Sequence, residues 1–198
     1  MQLNKMPEAE TQAKEIAEDI FNLYKKYGQQ EYGERVTMTM HMMQAAMLAE
    51  EEGYNDEMII ASFLHDIGHF LEHGEVMGTY GKLAHDDLGA VYLLEKGFPE
   101  KMAKLVASHV AAKRYLTAVS PEYMKSLSEA SRQTLVYQGG PMTAAEMKEF
   151  EAEEYFSDYI EIRIWDDKGK EQGVQVREED LLRIKEKIIN YLIDHAGR

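Results

Sequence analysis

Histidine and aspartate side chains at seven positions could build a metal centre. One aspartate directly follows a histidine inside the apolar run IIASFLHDIGHFL, where a charged carboxylate costs several kcal/mol unless it is paired or coordinated. A divalent or trivalent metal ion would compensate that charge, and one carboxylate can bridge two ions about 3.5 to 4 Å apart. We therefore expect a site built from imidazole and carboxylate. The residues are His41, His65, Asp66, His69, His85, His109 and Asp166.

Single histidines are more often ordinary core or surface residues than metal ligands, so each needs supporting neighbours. His69 follows His65 at the i, i+4 spacing, which on one helix would let it act as a ligand or as a hydrogen-bonding group behind one. His73 and His195 have no comparable neighbours, and we interpret them as ordinary residues. The adjacent His-Asp pair, with one histidine about a helix earlier and two later, favours a metal site over chance.

The composition restricts the fold class and the partners. With 198 residues, 44% of them hydrophobic, the chain suits one globular domain. The absence of cysteine excludes disulfides, thiolate ligands and cysteine nucleophiles. A formal net charge of -14 disfavours nucleic-acid and anionic-membrane partners, although a few basic residues in a pocket can still bind a small anion. The sequence has no apolar signal segment or membrane-length apolar run, so we expect a cytoplasmic protein.

Apolar residues recur at helical spacing along most of the chain. Glycine or proline follows several of these stretches, where helices usually stop. Ser120 before Pro121, and Thr143 with Glu146, are typical helix starts. The longer predicted helices cover residues 16–27, 38–49, about 55–67 after a cap at Asn55 or Asp56, 84–96, 100–112 and 181–193. These elements predict an all-α helical bundle.

The segment YIEIRIW, residues 159–165, alternates charged with β-branched residues, which by periodicity alone suits a strand. The sequence contains no comparable partner strand, and an isolated strand cannot satisfy its backbone hydrogen bonds. We therefore predict a helix here, capped near Ser157. The acidic stretch of residues 146–158 is most simply a solvated helix surface.

Four of the candidate ligands, His41, His65, Asp66 and Asp166, resemble the metal-binding pattern of the HD-domain superfamily. Most members of that superfamily are phosphohydrolases. The further histidines at 85 and 109 resemble the six-ligand set of its diiron oxygenase branch, which includes myo-inositol oxygenase and the PhnZ-type phosphonate oxygenases. Three strings resemble the PhnZ type in particular, within a resemblance spanning about residues 27–170: HVAAKRYL, SEASRQTLVYQGGPM and RIWDDKGK.

The resemblance implies two mixed-valent iron ions, Fe(II) and Fe(III), with Asp66 bridging them and His69 touching the substrate. It implies that one iron is held by His41, His65 and Asp166 and the other by His85 and His109. By the same resemblance, the phosphonate oxygens would be bound by Lys113, Ser131, Thr134 and Arg163, with Gln138 in the pocket wall.

The string EYGERV resembles the acidic loop of these oxygenases. Tyr32 would then occupy an iron before substrate arrives, and Glu34 would meet a cationic head group of the substrate. A packing tyrosine and a surface glutamate are the alternative interpretation of these two residues.

The activity implied by the resemblance is oxidative cleavage of the carbon to phosphorus bond of a 1-hydroxyalkylphosphonate by O2, giving a carboxylate and phosphate. The substrate would be 2-amino-1-hydroxyethylphosphonate, its trimethylammonium analogue or a similar small molecule. We expect a single HD domain over residues 1–198, with a core at about 27–170 and the terminal helices packed on it. Two alternatives are a metal-dependent phosphohydrolase and a non-catalytic ligand-binding module of the same fold.

Overall fold

The computed structural model describes residues 5–31, 35–71 and 84–196, and within these ranges it contains helices and no strand. The prediction of an all-α fold is confirmed. The α-helices are α1 (Lys5–Tyr27), α2 (Met38–Glu51), α3 (Asp56–Leu64), α4 (His85–Glu95), α5 (Glu100–Val119), α6 (Pro121–Ser126), α7 (Glu129–Tyr137), α8 (Ala144–Glu151), α9 (Phe156–Lys168) and α10 (Glu178–His195), with a 3-10 helix at Ile67–Phe70 between α3 and α4.

Polar side chains begin several helices as the sequence predicts. Asn55, rather than Asp56, caps α3 by accepting a hydrogen bond from the Met58 amide. Ser120 caps α6 ahead of its proline. Thr143 and Glu146 form a reciprocal capping box at the start of α8. These local interactions satisfy amide groups that the helices cannot pair internally.

Several helix boundaries differ from prediction. Helix α1 begins at Lys5 and not near residue 16. The apolar run that predicts one helix to Ile67 is broken, because α3 ends at Leu64 and a 3-10 helix follows. Helix α5 does not stop near Ala112 but continues to Val119, where Ser120 and Pro121 start the next helix. Helix α9 begins at Phe156, close to the predicted cap near Ser157, but its N-cap residue is Tyr155, which makes no side-chain capping hydrogen bond.

The segment that alternates like a strand lies in α9, as predicted. Ile162 and Trp165 are completely buried at helical spacing, and Arg163 and Asp166 turn towards a polar interior on a neighbouring face. The two faces explain the alternation, because charged residues here point inwards as well as outwards. The acidic stretch is mostly exposed, but it spans most of α8, a turn and the start of α9 rather than one helix.

Helices α2, α3, α5 and α9 pack on one another and form the centre of the bundle. Among its fully buried side chains are Met42, Phe63 and Trp165. Helices α1 and α10 pack together against its outside, where Tyr24 of α1 stacks on Phe63 with ring centroids 4.5 Å apart. This packing fixes the helices that carry the candidate ligands.

Gly68 brings the 3-10 helix into close contact with the start of α4. A Cβ atom at this position would lie 1.8 Å from the His85 carbonyl oxygen, so only glycine fits without movement of the backbone. The contact places His85 beside the histidines that precede and follow Gly68. Within the described ranges, no helix has both the length and the apolar character needed to span a membrane.

Candidate active site

Three side chains from separate helices meet in a first buried group. His41 lies on α2, His65 directly follows α3, and Asp166 lies on α9. The Nε2 atoms of His41 and His65 are 3.2 Å apart, and the His41 Nε2 is 3.3 Å from Asp166 Oδ1. All three residues are at most 4% exposed. Because their donor atoms lie within 4.8 Å of one another, they could hold a single ion.

A second group lies next to the first, where the His65 and His109 ring centroids are 5.2 Å apart. His85 is the first residue of α4, and His109 lies in the middle of α5. Their Nε2 atoms are 2.8 Å apart and both rings are buried. The tight contact of α4 with α5 and with the 3-10 helix creates this pair.

Asp66 lies between the two groups. Its Oδ2 atom is 3.6 Å from His41 Nε2 and 3.4 Å from His65 Nε2. Its Oδ1 atom faces the other way, 3.2 Å from His85 Nε2 and 3.3 Å from His109 Nε2. One carboxylate therefore presents one oxygen to each group, as a bridge between two ions requires.

The orientation of the imidazole rings fits bound metal ions. The Nδ1 atoms of His41, His65 and His109 hydrogen-bond to the backbone carbonyls of residues 169, 62 and 106, at 3.0, 2.8 and 2.9 Å. A ring that donates through Nδ1 carries a lone pair on Nε2. Lone pairs that converge need a cation between them, and the Nε2 separations suit two ligands on one ion with bonds of about 2.1 Å.

The electrostatics of the site also call for positive charge. Burial alone would raise the pKa of Asp66, but the surrounding histidines hold it well below its usual range. Burial opposes ionisation of Asp166 too, and Arg163 and Lys170 keep its pKa well below normal. Burial lowers the pKa of His41, yet hydrogen bonds with the two aspartates raise it to about 9. Both carboxylates are therefore ionised. A pKa of about 9 also means that the His41 imidazole is protonated at neutral pH when no metal ion is bound, and a bound ion would take the place of that proton on Nε2.

His69 reaches the site by a different route from the one predicted. The helix ends before His65, so His65 and His69 do not share a helical face as their spacing suggested. His69 lies in the 3-10 helix, where its ring stacks on His85 with centroids 4.0 Å apart and its Nε2 is 3.9 Å from Asp66 Oδ1. Burial and the neighbouring His85 hold its pKa well below normal, so the ring is neutral.

A cavity opens beside the two groups. Asp66 and His69 lie in its wall. The cavity is also lined by the five residues assigned by resemblance to phosphonate binding or to the pocket wall: Lys113, Ser131, Thr134, Gln138 and Arg163. They come from α5, α9, α7 and the residue directly after α7. The structure thus brings these candidate substrate contacts next to the candidate metal ligands.

Lys113 is a buried cation in this cavity. Its side chain projects from α5 and donates a hydrogen bond of 2.9 Å to Thr134 Oγ1, and the residue is 3% exposed. Burial, reinforced by the charge of Arg163, lowers the pKa of Lys113 to about 7. An anion that enters the cavity would stabilise the charged form of Lys113, because it replaces the interaction with water that the ammonium group loses on burial.

Arg163 is held by carboxylates. Its guanidinium lies 2.5 Å from Asp166 Oδ2, forms an ion pair with Asp167 and donates through Nε to the Tyr123 hydroxyl at 2.9 Å. The Tyr123 hydroxyl also donates to Asp167. These contacts fix Asp166 in its orientation towards His41. They favour a positioning role for Arg163 besides its place in the cavity wall.

Three sequence assignments cannot be compared with the structure. Tyr32 and Glu34 lie outside the described residues, as does His73. His195, interpreted as an ordinary residue, is the last residue of α10 and hydrogen-bonds through Nδ1 to the Tyr191 carbonyl of its own helix.

The sequence analysis missed three residues around the site. Lys170 lines the cavity, and Tyr123 and Asp167 hold Arg163. The signal for Lys170 was its i, i+4 spacing from Asp166 in the string RIWDDKGK. Tyr123 had no sequence signal, since its partner lies 40 residues away.

Comparisons with known proteins identify the family of the chain. A family model for the HD domain matches residues 38–136, half of the chain, which includes every candidate ligand except Asp166. The chain is 44% identical over 168 residues to an uncharacterized protein of Acanthamoeba polyphaga mimivirus, covering 83% of this chain and 77% of that protein.

Two further relatives carry functional names. A 1-hydroxy-2-(trimethylamino)ethylphosphonate dioxygenase of Leisingera caerulea, described as glycine-betaine-forming, is 44% identical over 163 residues, which cover 81% of this chain and 83% of that enzyme. A hydroxymethylphosphonate dioxygenase of Gimesia maris is 39% identical over 160 residues, or 79% of each chain. The chain therefore belongs to the HD-domain family, in the group that contains these phosphonate dioxygenases.

Proposed function

We propose that this protein is an oxygenase that cleaves the carbon to phosphorus bond of a 1-hydroxyalkylphosphonate with O2, using a mixed-valent pair of iron ions. The observation that carries the proposal is Asp66, whose two oxygens face two separate histidine groups beside a cavity that contains buried cations. The names of the two dioxygenase relatives support the same reaction class.

In this proposal six side chains, four imidazoles and two carboxylates, bind the two iron ions. His41, His65 and Asp166 would hold one iron, His85 and His109 the other, and Asp66 both. Imidazole and carboxylate ligands suit iron, and the bound pair would supply O2 activation and the redox chemistry. The residues of the chain bind and orient the substrate and exclude water.

Substrate binding is assigned to the cavity wall. Lys113 and the hydroxyls of Ser131 and Thr134 would hold the phosphonate, because they offer one positive charge and two hydroxyl groups on adjacent turns of α7. His69 and Asp66 line the same cavity, so the carbon that bears the hydroxyl would lie against them. Neutral His69 can exchange a hydrogen bond with that hydroxyl.

The reaction balances without a further reductant. One 1-hydroxyalkylphosphonate and one O2 give one carboxylate and one phosphate, with release of a proton. Carbon is oxidised to the level of a carboxylic acid, the carbon to phosphorus bond breaks, and phosphorus gains an oxygen. Burial of the ligand residues limits the loss of reactive species to water.

A metal-dependent phosphohydrolase is the alternative, since the HD match alone fits either chemistry. It needs only one ion and an activated water. His85 and His109 form a buried pair that faces one oxygen of Asp66. A mononuclear hydrolase has no use for this pair. This pair favours the oxygenase.

The test compares iron-loaded wild type with His109→Ala, and uses His195→Ala, at the end of α10 and outside the cavity lining, as a matched control. Each protein is incubated with hydroxymethylphosphonate and with the trimethylammonium substrate, with and without O2, and phosphate is measured. We expect release only by wild type and the control, and only with O2. Equal release by wild type with and without O2, above the enzyme-free blank, would refute the oxygenase.

A further inference from the structure

The short segment after α9 is fixed to α2 by three hydrogen bonds. The His41 imidazole bonds to the Gly169 carbonyl at 3.0 Å. The side-chain amide of Gln44 donates to the Glu171 carbonyl and accepts from the Glu171 amide, both at 3.1 Å. Lys170 lies between these two anchored residues, so its backbone position is set by α2.

The anchored backbone directs the side chain of Lys170 into the cavity. Its ammonium nitrogen is 3.3 Å from Asp166 Oδ1 and 3.4 Å from the Ser131 hydroxyl oxygen. The side chain is 16% exposed, so its charge is largely shielded from bulk water. Burying a lysine in this way lowers the free energy of unfolding, whereas a solvent-exposed lysine has no such cost.

Two lysines, one on α5 and one in the segment after α9, thus face one side of α7. Lys113 meets the hydroxyl of Thr134 and Lys170 meets the hydroxyl of Ser131, three residues earlier on the same helical face. A phosphonate carries up to two negative charges and three acceptor oxygens. Two ammonium groups match that charge, and the two hydroxyls add further hydrogen-bonding groups for its oxygens.

We propose that Lys170 is a second phosphonate-binding cation, which also contacts Asp166 and so links the anion site to the metal centre. The inference rests on the proposed function for the identity of the anion. It adds a substrate contact whose position depends on Gln44, a residue outside the cavity lining.

The experiment measures binding of methylphosphonate, which has no hydroxyl to be oxidised, to iron-loaded protein by calorimetry. The variants are Lys170→Met and Lys170→Arg. The matched control is Lys168→Met, because Lys168 lies two residues earlier, is 55% exposed and is 3.6 Å from Glu52. We expect about 10- to 100-fold weaker binding by Lys170→Met and little change in the control. Lys170→Arg should keep most of the affinity.

Iron content separates a binding role from a structural one. If Lys170 binds the anion, Lys170→Met keeps the iron content of wild type and raises KM for a hydroxyphosphonate. If Lys170 only supports Asp166, iron content falls and methylphosphonate affinity of the remaining loaded protein is unchanged, which overturns the proposal. Lys170→Gln keeps a hydrogen-bond donor without the charge and takes the place of Lys170→Met if methionine disturbs folding.

The outcomes also distinguish this inference from the proposed function. If wild type binds methylphosphonate through Lys170 but cleaves no hydroxyphosphonate, the anion site is supported and the proposed oxygenase activity is refuted. If wild type cleaves hydroxyphosphonates and Lys170→Met binds methylphosphonate as tightly as wild type does, the oxygenase activity is supported and the role of Lys170 in anion binding is refuted. Wild type that binds no methylphosphonate overturns the inference directly.

Discussion

Replacing Lys113 by methionine should stabilise the fold while it weakens phosphonate binding. Burial, with the adjacent charge of Arg163, lowers the Lys113 pKa from 10.5 to about 7, even though Asp166 and Asp167 oppose the shift and Lys170 adds to it. At about 1.4 kcal/mol per pH unit, folding around a charged Lys113 costs about 5 kcal/mol.

The sign of the pH dependence follows from the two pKa values. Because the Lys113 pKa is lower in the folded than in the unfolded protein, the unfolded chain binds more protons between about pH 7 and 10.5. Wild-type stability contributed by this group therefore rises with pH across that window. Lys113→Met removes the cost and loses one hydrogen bond to Thr134, worth about 1 kcal/mol, so its net gain is several kcal/mol below pH 7 and vanishes towards pH 10.5.

The assay is denaturant unfolding of iron-loaded wild type, Lys113→Met and the exposed-site control Lys168→Met at about pH 6 and about pH 10. The same proteins are titrated with methylphosphonate over this range, and the ratio of wild-type to variant affinity is followed, since titration of the ligand itself cancels in that ratio. We expect the ratio to be largest at low pH. A Lys113→Met protein that is less stable than wild type at both pH values would refute the argument that Lys113 is retained for binding.

Three other predictions concern the metal centre. Gly68→Ala should cut iron content, because its Cβ would lie 1.8 Å from the His85 carbonyl oxygen and displace that ligand; unchanged iron per chain would contradict this. Asp167→Asn should weaken the hold on Arg163 and so on Asp166, and we expect iron to be lost to a chelator faster than from wild type, with helicity by circular dichroism as the control. Removal of iron should lower the Tm, because bound iron stabilises only the folded protein. The loss corresponds to about 2.7 kcal/mol when free iron is 100 times its Kd, and an unchanged Tm would argue against a bound pair.

Much of the candidate site could be predicted because its signals are local. A carboxylate in an apolar run is costly wherever the run is buried, so Asp66 indicates a metal before any tertiary structure is known. The helix caps at Asn55, Ser120 and Thr143 are local for the same reason, since each side chain bonds to an amide three residues along.

The remaining features depend on contacts between distant segments. Nothing in the apolar run of residues 55–67 marks the end of α3 at Leu64, because the break is set by the close approach of Gly68 to the start of α4. The direction of Lys170 depends on Gln44, whose amide bonds to a residue 127 positions away. Periodicity and spacing cannot report such pairs.

The charge of the cavity explains how a strongly acidic protein can bind an anion. Its lining contains two carboxylates, Asp66 and Asp166, and three cationic groups, Lys113, Arg163 and Lys170, before any metal charge is added. Two bound iron ions would make the local balance strongly positive inside a chain of net charge -14. The field then favours an anion inside the cavity and a cation outside it. A phosphonate with a cationic head group would accordingly enter with the phosphonate inwards, and the head group would remain towards the acidic exterior.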